Sequence, residues 1–112
     1  MALFTSGVSS SLWDKKTKII PASATESVDE ISLDIFKAAK YVIFISNGID
    51  TIMFDMNIIN KNSNIKESIY GKIGTGISFS IDTSVSLGLM SLKITNKETS
   101  SINTELIRYK FN

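Results

Sequence analysis

Lys40-Tyr41-Val42-Ile43-Phe44-Ile45-Ser46, then Asn47-Gly48-Ile49-Asp50, then Thr51-Ile52-Met53-Phe54-Asp55-Met56-Asn57-Ile58-Ile59: these residues decide the fold. The first run is β-branched and aromatic on both faces, as a central buried strand should be. Asn-Gly directly after it is a hairpin signal, because glycine and asparagine tolerate the positive φ that tight hairpin turns need. The returning run alternates: Ile52, Phe54, Met56 and Ile58 share one face, with Asp55 and Asn57 on the other. Two adjacent antiparallel strands are therefore predicted at the centre of the chain.

The same period continues outward. Asn60–Asn64 is a polar turn. Ile65, Ile69 and Ile73 share a face across the next strand, with Tyr70 opposite, and Gly74-Thr75-Gly76 turns the chain. Ile77, Phe79 and Ile81 alternate with Ser78, Ser80 and Asp82, the pattern of a half-exposed strand. Met90, Leu92 and Ile94 point inward from 89–95. A last strand over 102–111 places Ile107, Tyr109 and Phe111 on one face. Upstream, 26–31 reads as a strand and 32–39 as one helical turn capped by Ser32. Phe36 is expected to plug the gap between sheets, with Lys37 and Lys40 in water. Ile19-Ile20 is a short edge strand closed by Pro21, the sole proline. The fold class is all-β: an antiparallel β-sandwich of about seven short strands with an extended N-terminal arm. Its expected core is Tyr41, Ile43, Ile45, Phe54, Phe79, Leu92 and Ile107.

Residues 1–17 carry no period of 2 or 3.6 and are read as the arm; 18–112 form the sandwich domain. Leu3, Phe4, Val8, Leu12 and Trp13 are its apolar residues, and Trp13 is the sole tryptophan. An arm with these side chains is expected to dock, with Leu12 and Trp13 anchoring near the body and Leu3 and Phe4 reaching another chain.

Composition narrows the chemistry. The chain has 112 residues, 43% hydrophobic and 21% charged, which is globular. With no cysteine and no histidine, thiolate and imidazole catalysis and Cys/His zinc sites are excluded. A net charge of +1 gives no electrostatic case for nucleic acid or for an anionic membrane. No apolar run is long enough to cross a bilayer as a helix. The N-terminus lacks the basic region of a signal peptide, so folding in a cytoplasm is expected. Asp29 and Glu30 are adjacent, so a strand sends them to opposite faces, and no spacing pairs two carboxylates in a cleft. Gly71-Lys72-Ile73-Gly74-Thr75-Gly76 only superficially matches a phosphate loop, because alternating residues rather than a helix follow it. Asn60, Asn62 and Asn64 alternate without the carboxylates a calcium loop needs. Tyr41, Tyr70 and Tyr109 read as packing residues rather than a sugar platform. No catalytic residue, metal site or cofactor is expected, and the chain is not expected to be an enzyme.

Pro21-Ala22-Ser23-Ala24-Thr25, then Val28-Asp29, then Phe36-Lys37-Ala38-Ala39-Lys40-Tyr41-Val42-Ile43, with Tyr70-Gly71, Gly88 and Ile94 further on, carry a resemblance. The stretch resembles a β-sandwich module of virion structural, tail-associated proteins of tailed bacteriophages, notably marine cyanophages. Lys37 stands where that module commonly has arginine, and the later hairpins hold fewer glycines. The resemblance spans about residues 18–111 and leaves the arm outside. It implies a β-sandwich that assembles into particles, with no catalytic residues; the expected function is therefore a non-enzymatic structural protein in the tail, neck or baseplate, an adaptor anchored to neighbours by its arm, residues 1–17. Its partners would be other virion structural proteins, in a homo-oligomer or in many copies per particle. Capsid decoration and a carbohydrate-binding module of a fibre are the alternatives. Mass spectrometry of separated tails and heads, and a glycan array, discriminate them.

Overall fold

The computed structural model describes residues 13–112. Eight strands follow one another: β1 (Trp13–Ile20), β2 (Thr25–Ser32), β3 (Ala38–Ser46), β4 (Thr51–Lys61), β5 (Asn64–Ile73), β6 (Phe79–Ser86), β7 (Leu89–Asn96) and β8 (Ile102–Phe111). A 3-10 turn, Leu33–Ile35, separates β2 from β3, and the Ser32 hydroxyl accepts from the Asp34 N–H as its cap. The strands form two antiparallel sheets, one ordered β1-β8-β3-β4-β5 and the other β2-β7-β6. They face each other as a sandwich.

The core lies where alternate side chains of the two sheets meet. Tyr41, Ile43 and Ile45 of β3, Ile52, Phe54, Met56 and Ile58 of β4, and Met90, Leu92 and Ile94 of β7 are all buried. Phe79 is half-buried and stacks on Phe54 with ring centroids 5.7 Å apart. Phe36 is buried beneath the crossing from one sheet to the other, while Lys37 stays exposed. That crossing is stitched in place by polar groups. The Asn60 side-chain amide donates to the carbonyls of Leu33 and Phe36 at 3.1 and 3.0 Å. The β3–β4 turn closes as its Asn47 predicts: Asn47 Oδ1 accepts from the Ile49 and Asp50 N–H groups at 2.9 and 2.7 Å.

Three expectations change. The boundary drawn after residue 17 falls inside β1, where Trp13 to Thr17 pair with Tyr109 to Glu105 of β8. The inward positions of this part of β1 are Asp14 and Lys16, so the apolar alternation that marks a strand is missing. Ile107 is not a core residue. It shares the outer face of β8 with Tyr109 and Phe111, while Ile102, Thr104, Leu106 and Arg108 point inward and are buried. Ile73 leaves the face of Ile65 and Ile69. The β4–β5 register shifts between Met53 and Asp55, Gly71 adopts φ +67°, and Ile73 ends opposite Met53 on the outside.

Candidate functional site

Where the two sheets meet at the β1–β2 edge, a charged residue occupies a core position of each sheet. In β2 the register against β7 shifts between Ser27 and Asp29. The bulge lets Val28 and Asp29, adjacent in sequence, both be buried. Asp29 thereby faces the inward Arg108 of β8. Arg108 Nη1 donates to both Asp29 carboxylate oxygens, at 3.1 and 3.0 Å. Tyr41 Oη donates to Asp29 Oδ2 at 2.6 Å, and Lys16 Nζ lies 2.5 Å from Asp29 Oδ1. Arg108 Nη2 donates to Asp14 Oδ2 at 2.6 Å. Four strands thus meet in one hydrogen-bonded ionic cluster. Arg108 Nε is buried without a partner among the described residues. Burial first, and the neighbouring Asp29 carboxylate second, push the Tyr41 phenol far above its ordinary pKa.

The cluster is a latch between sheets. The Asp29 side chain is fully buried, and each carboxylate oxygen already accepts a cation or a hydroxyl. Further along the same edge, Lys18 lies 3.5 Å from Glu26. The β1 and β2 edges are thus joined by side-chain ion pairs across an open cleft of about 540 Å3. Lysines on β1 also discourage uncontrolled strand addition there.

The second feature is the outer face of the five-stranded sheet. By register, Trp13 of β1 lies opposite Tyr109, Ile107 opposite Val42, and Phe44 opposite Met53. Trp13 is 46% exposed, Met53 45% and Tyr109 42%, and these residues are contiguous across four strands. A depression of about 250 Å3 lies among Lys15, Val42, Phe44, Met53 and Ile107. Two ion pairs lie on this face, Lys15 with Glu105 at 3.5 Å and Lys40 with Asp55 at 3.7 Å, and Lys61 and Lys66 point outward at the β4–β5 hairpin end. Lys40 also contacts the Tyr70 hydroxyl, which raises its pKa.

Of the five arm residues singled out from the sequence, Leu3, Phe4, Val8 and Leu12 lie outside the described residues. Trp13 opens β1 on the outer face. Of the three tyrosines, Tyr41 is buried in the latch, whereas Tyr70 and Tyr109 are exposed on the outer face. Asn60 holds the sheet crossing. Gly74 lies at the turn after β5, where a Cβ would come 2.1 Å from the Thr51 carbonyl oxygen; close packing on the β3–β4 hairpin requires glycine there. Asp29 and Glu30 do diverge, one buried and one exposed. Sequence reasoning missed the Asp29–Arg108 pair, since nothing in strand spacing signals a bulge at Val28.

No protein-family model matches the chain, and no curated protein matches its sequence. Solved structures do resemble its fold. The tailspike protein of Acinetobacter baumannii phage AM24 is similar over 89% of this chain and 26% of its own, with a TM-score of 0.51 and 11% identity. The tailspike protein of Acinetobacter phage vB_ApiP_P1 is similar over 88% of this chain and 21% of its own, with a TM-score of 0.54 and 11% identity. The chain thus spans about a quarter of the length of these tailspikes. At such low identity the likeness is one of fold.

Proposed function

We propose that this chain is a non-enzymatic structural component of a tailed-phage virion, a tail-associated β-sandwich adaptor. The observation that carries this reading is the likeness of fold, over nearly nine-tenths of the chain, to parts of two phage tailspike proteins. The Lys37–Tyr41 stretch and its flanks, read from sequence, point the same way. The site chemistry is compatible with it: the most buried carboxylate, Asp29, is fully occupied in holding the sheets together. The exposed outer face carries an apolar patch bordered by two ion pairs, which suits protein contacts.

In this reading residues 1–12 anchor the domain to neighbouring subunits through Leu3, Phe4, Val8 and Leu12, and Trp13 fixes the start of the anchor on the sheet. Twelve extended residues reach up to about 40 Å, enough to cross onto a neighbour. Deleting residues 2–12 tests this. The truncated protein is expected to keep its β circular dichroism and cooperative melting and to lose incorporation into particles. Normal incorporation would overturn the anchoring role.

A further inference from the structure

We infer that the outer face of the five-stranded sheet is a self-association surface, and that a second copy of this chain covers it face to face. This goes beyond the anchoring role of residues 1–12 and does not depend on it. In an antiparallel sandwich the outward positions of a sheet are ordinarily polar, because water solvates that face. Here the outward positions of the central strands and their neighbours include Val42, Phe44, Met53, Ile107 and Tyr109, with Trp13 at the edge, beside the paired charges Lys15, Glu105, Lys40 and Asp55. An apolar patch of this extent on an outer face is what a covered face carries.

Three observations select the occupant. First, charge: Lys15 pairs with Glu105 and Lys40 with Asp55 within the face itself. The apolar patch over β1, β8, β3 and the start of β4 therefore offers no unbalanced charge to an acidic or basic partner, while the outward Lys61 and Lys66 lie away from it at the β4–β5 hairpin end. It calls for a surface that is likewise apolar and charge-balanced, and an identical face meets that description. Second, size: five strands spaced about 4.8 Å apart and eight residues long at about 3.3 Å each give roughly 600 Å2. Two such faces remove roughly 1,200 Å2 from water, the lower bound of specific interfaces. A single extended segment laid across the face covers only a row or two of side chains. Third, shape: two twisted sheets pack naturally at a spacing of about 10 Å with their strands nearly aligned. A two-fold pairing uses the same patch on both copies and closes on itself, so no open fibre results.

The test is sedimentation of the full chain over about 5–500 μM, which covers micromolar affinities at the weak end of specific interfaces. The wild type is expected to pass from monomer to dimer within it. Phe44→Glu and Met53→Glu are each expected to weaken the dimer by at least about tenfold, because a carboxylate would be buried against an apolar partner. Ile49→Ser removes an apolar residue that is 90% exposed at the β3–β4 turn and off the face, and should leave the dimer unchanged. Circular dichroism confirms that each variant folds. If Phe44→Glu does not, Phe44→Thr with Met53→Thr keeps strand preference while removing the apolar surface. A wild type that stays monomeric throughout overturns the inference. So does a dimer that survives the face substitutions. A dimer lost on deleting residues 2–12 but unaffected by Phe44→Glu overturns it as well, and assigns association to the arm.

Discussion

Replacing Asp29 with alanine should remove a substantial share of the fold's stability. Its side chain is fully buried and accepts from Arg108 at 3.0 and 3.1 Å, from Tyr41 at 2.6 Å and from Lys16 at 2.5 Å. Lys16 is 42% exposed and can turn to water. Arg108 cannot: its side chain is 10% exposed, its Nε already lacks a partner among the described residues, and only Asp14 would remain to it. Breaking a buried pair by removing one partner costs about 3–5 kcal/mol. Against a total stability of about 5–15 kcal/mol for a domain, that is a fifth or more. Urea unfolding followed by far-ultraviolet circular dichroism measures it, with the slope m checked for constancy. Removing the polar cluster together, as Asp29→Leu, Arg108→Leu and Tyr41→Phe, should recover most of the loss, because no buried charge or hydroxyl is then left without a partner. A loss below about 1 kcal/mol for Asp29→Ala would refute the latch, since exposed pairs give values of that size. A triple variant no more stable than Asp29→Ala would contradict the explanation by orphaned charge.

Three further outcomes follow from the same structure. Tyr41 holds its proton in the folded chain well above pH 10, whereas in the unfolded chain it ionises near pH 10. Its contribution is therefore present below about pH 10 and falls above it, by up to about 1.4 kcal/mol per pH unit, so the stability gap between wild type and Tyr41→Phe should shrink as pH rises from about 9 to about 11; a constant gap would contradict this. Asn96 is buried and donates to the carbonyls of Ile20, Pro21 and Ser100 at 2.8–3.1 Å, so Asn96→Leu should cost about 2–4 kcal/mol in urea unfolding, and a neutral effect would show those carbonyls reach other donors. Leu87 is 98% exposed at φ 54° in the β6–β7 turn, where asparagine is favoured, so Leu87→Asn should raise stability by about 0.5–1 kcal/mol, and a lowered melting temperature would show that Leu87 makes a stabilising contact.

What could be read from the sequence was whatever follows a two-residue period. The β3–β4 hairpin, the inward faces of β4 and β7, the Ser32 cap and the buried Phe36 all follow from alternation and turn chemistry. Alternation fails where a backbone irregularity inverts it. The bulge at Val28 turns Asp29 inward, and the one at Gly71 turns Ile73 outward. It fails again where a charge takes a core position. Arg108 is inward because Asp29 and Asp14 neutralise it, and an apolar-inside rule chose Ile107 instead. For the same reason the first half of β1 had no strand pattern. The two-sided apolar character of Lys40–Ser46 was visible, yet it was read as burial within one chain. The structure leaves Phe44 36% exposed on the outer face, which changes that character from a core signal into a surface signal.

The central claim, that this chain is a tail-associated part of a phage particle, is tested most directly by locating it. Purified particles of the phage that encodes it, separated into tails and heads, would be digested and their peptides quantified by mass spectrometry. The account predicts peptides of 13–112 in the tail fraction, at several copies per particle and depleted from heads. Peptides confined to the head fraction, or absent from both while abundant in the infected lysate, would contradict it.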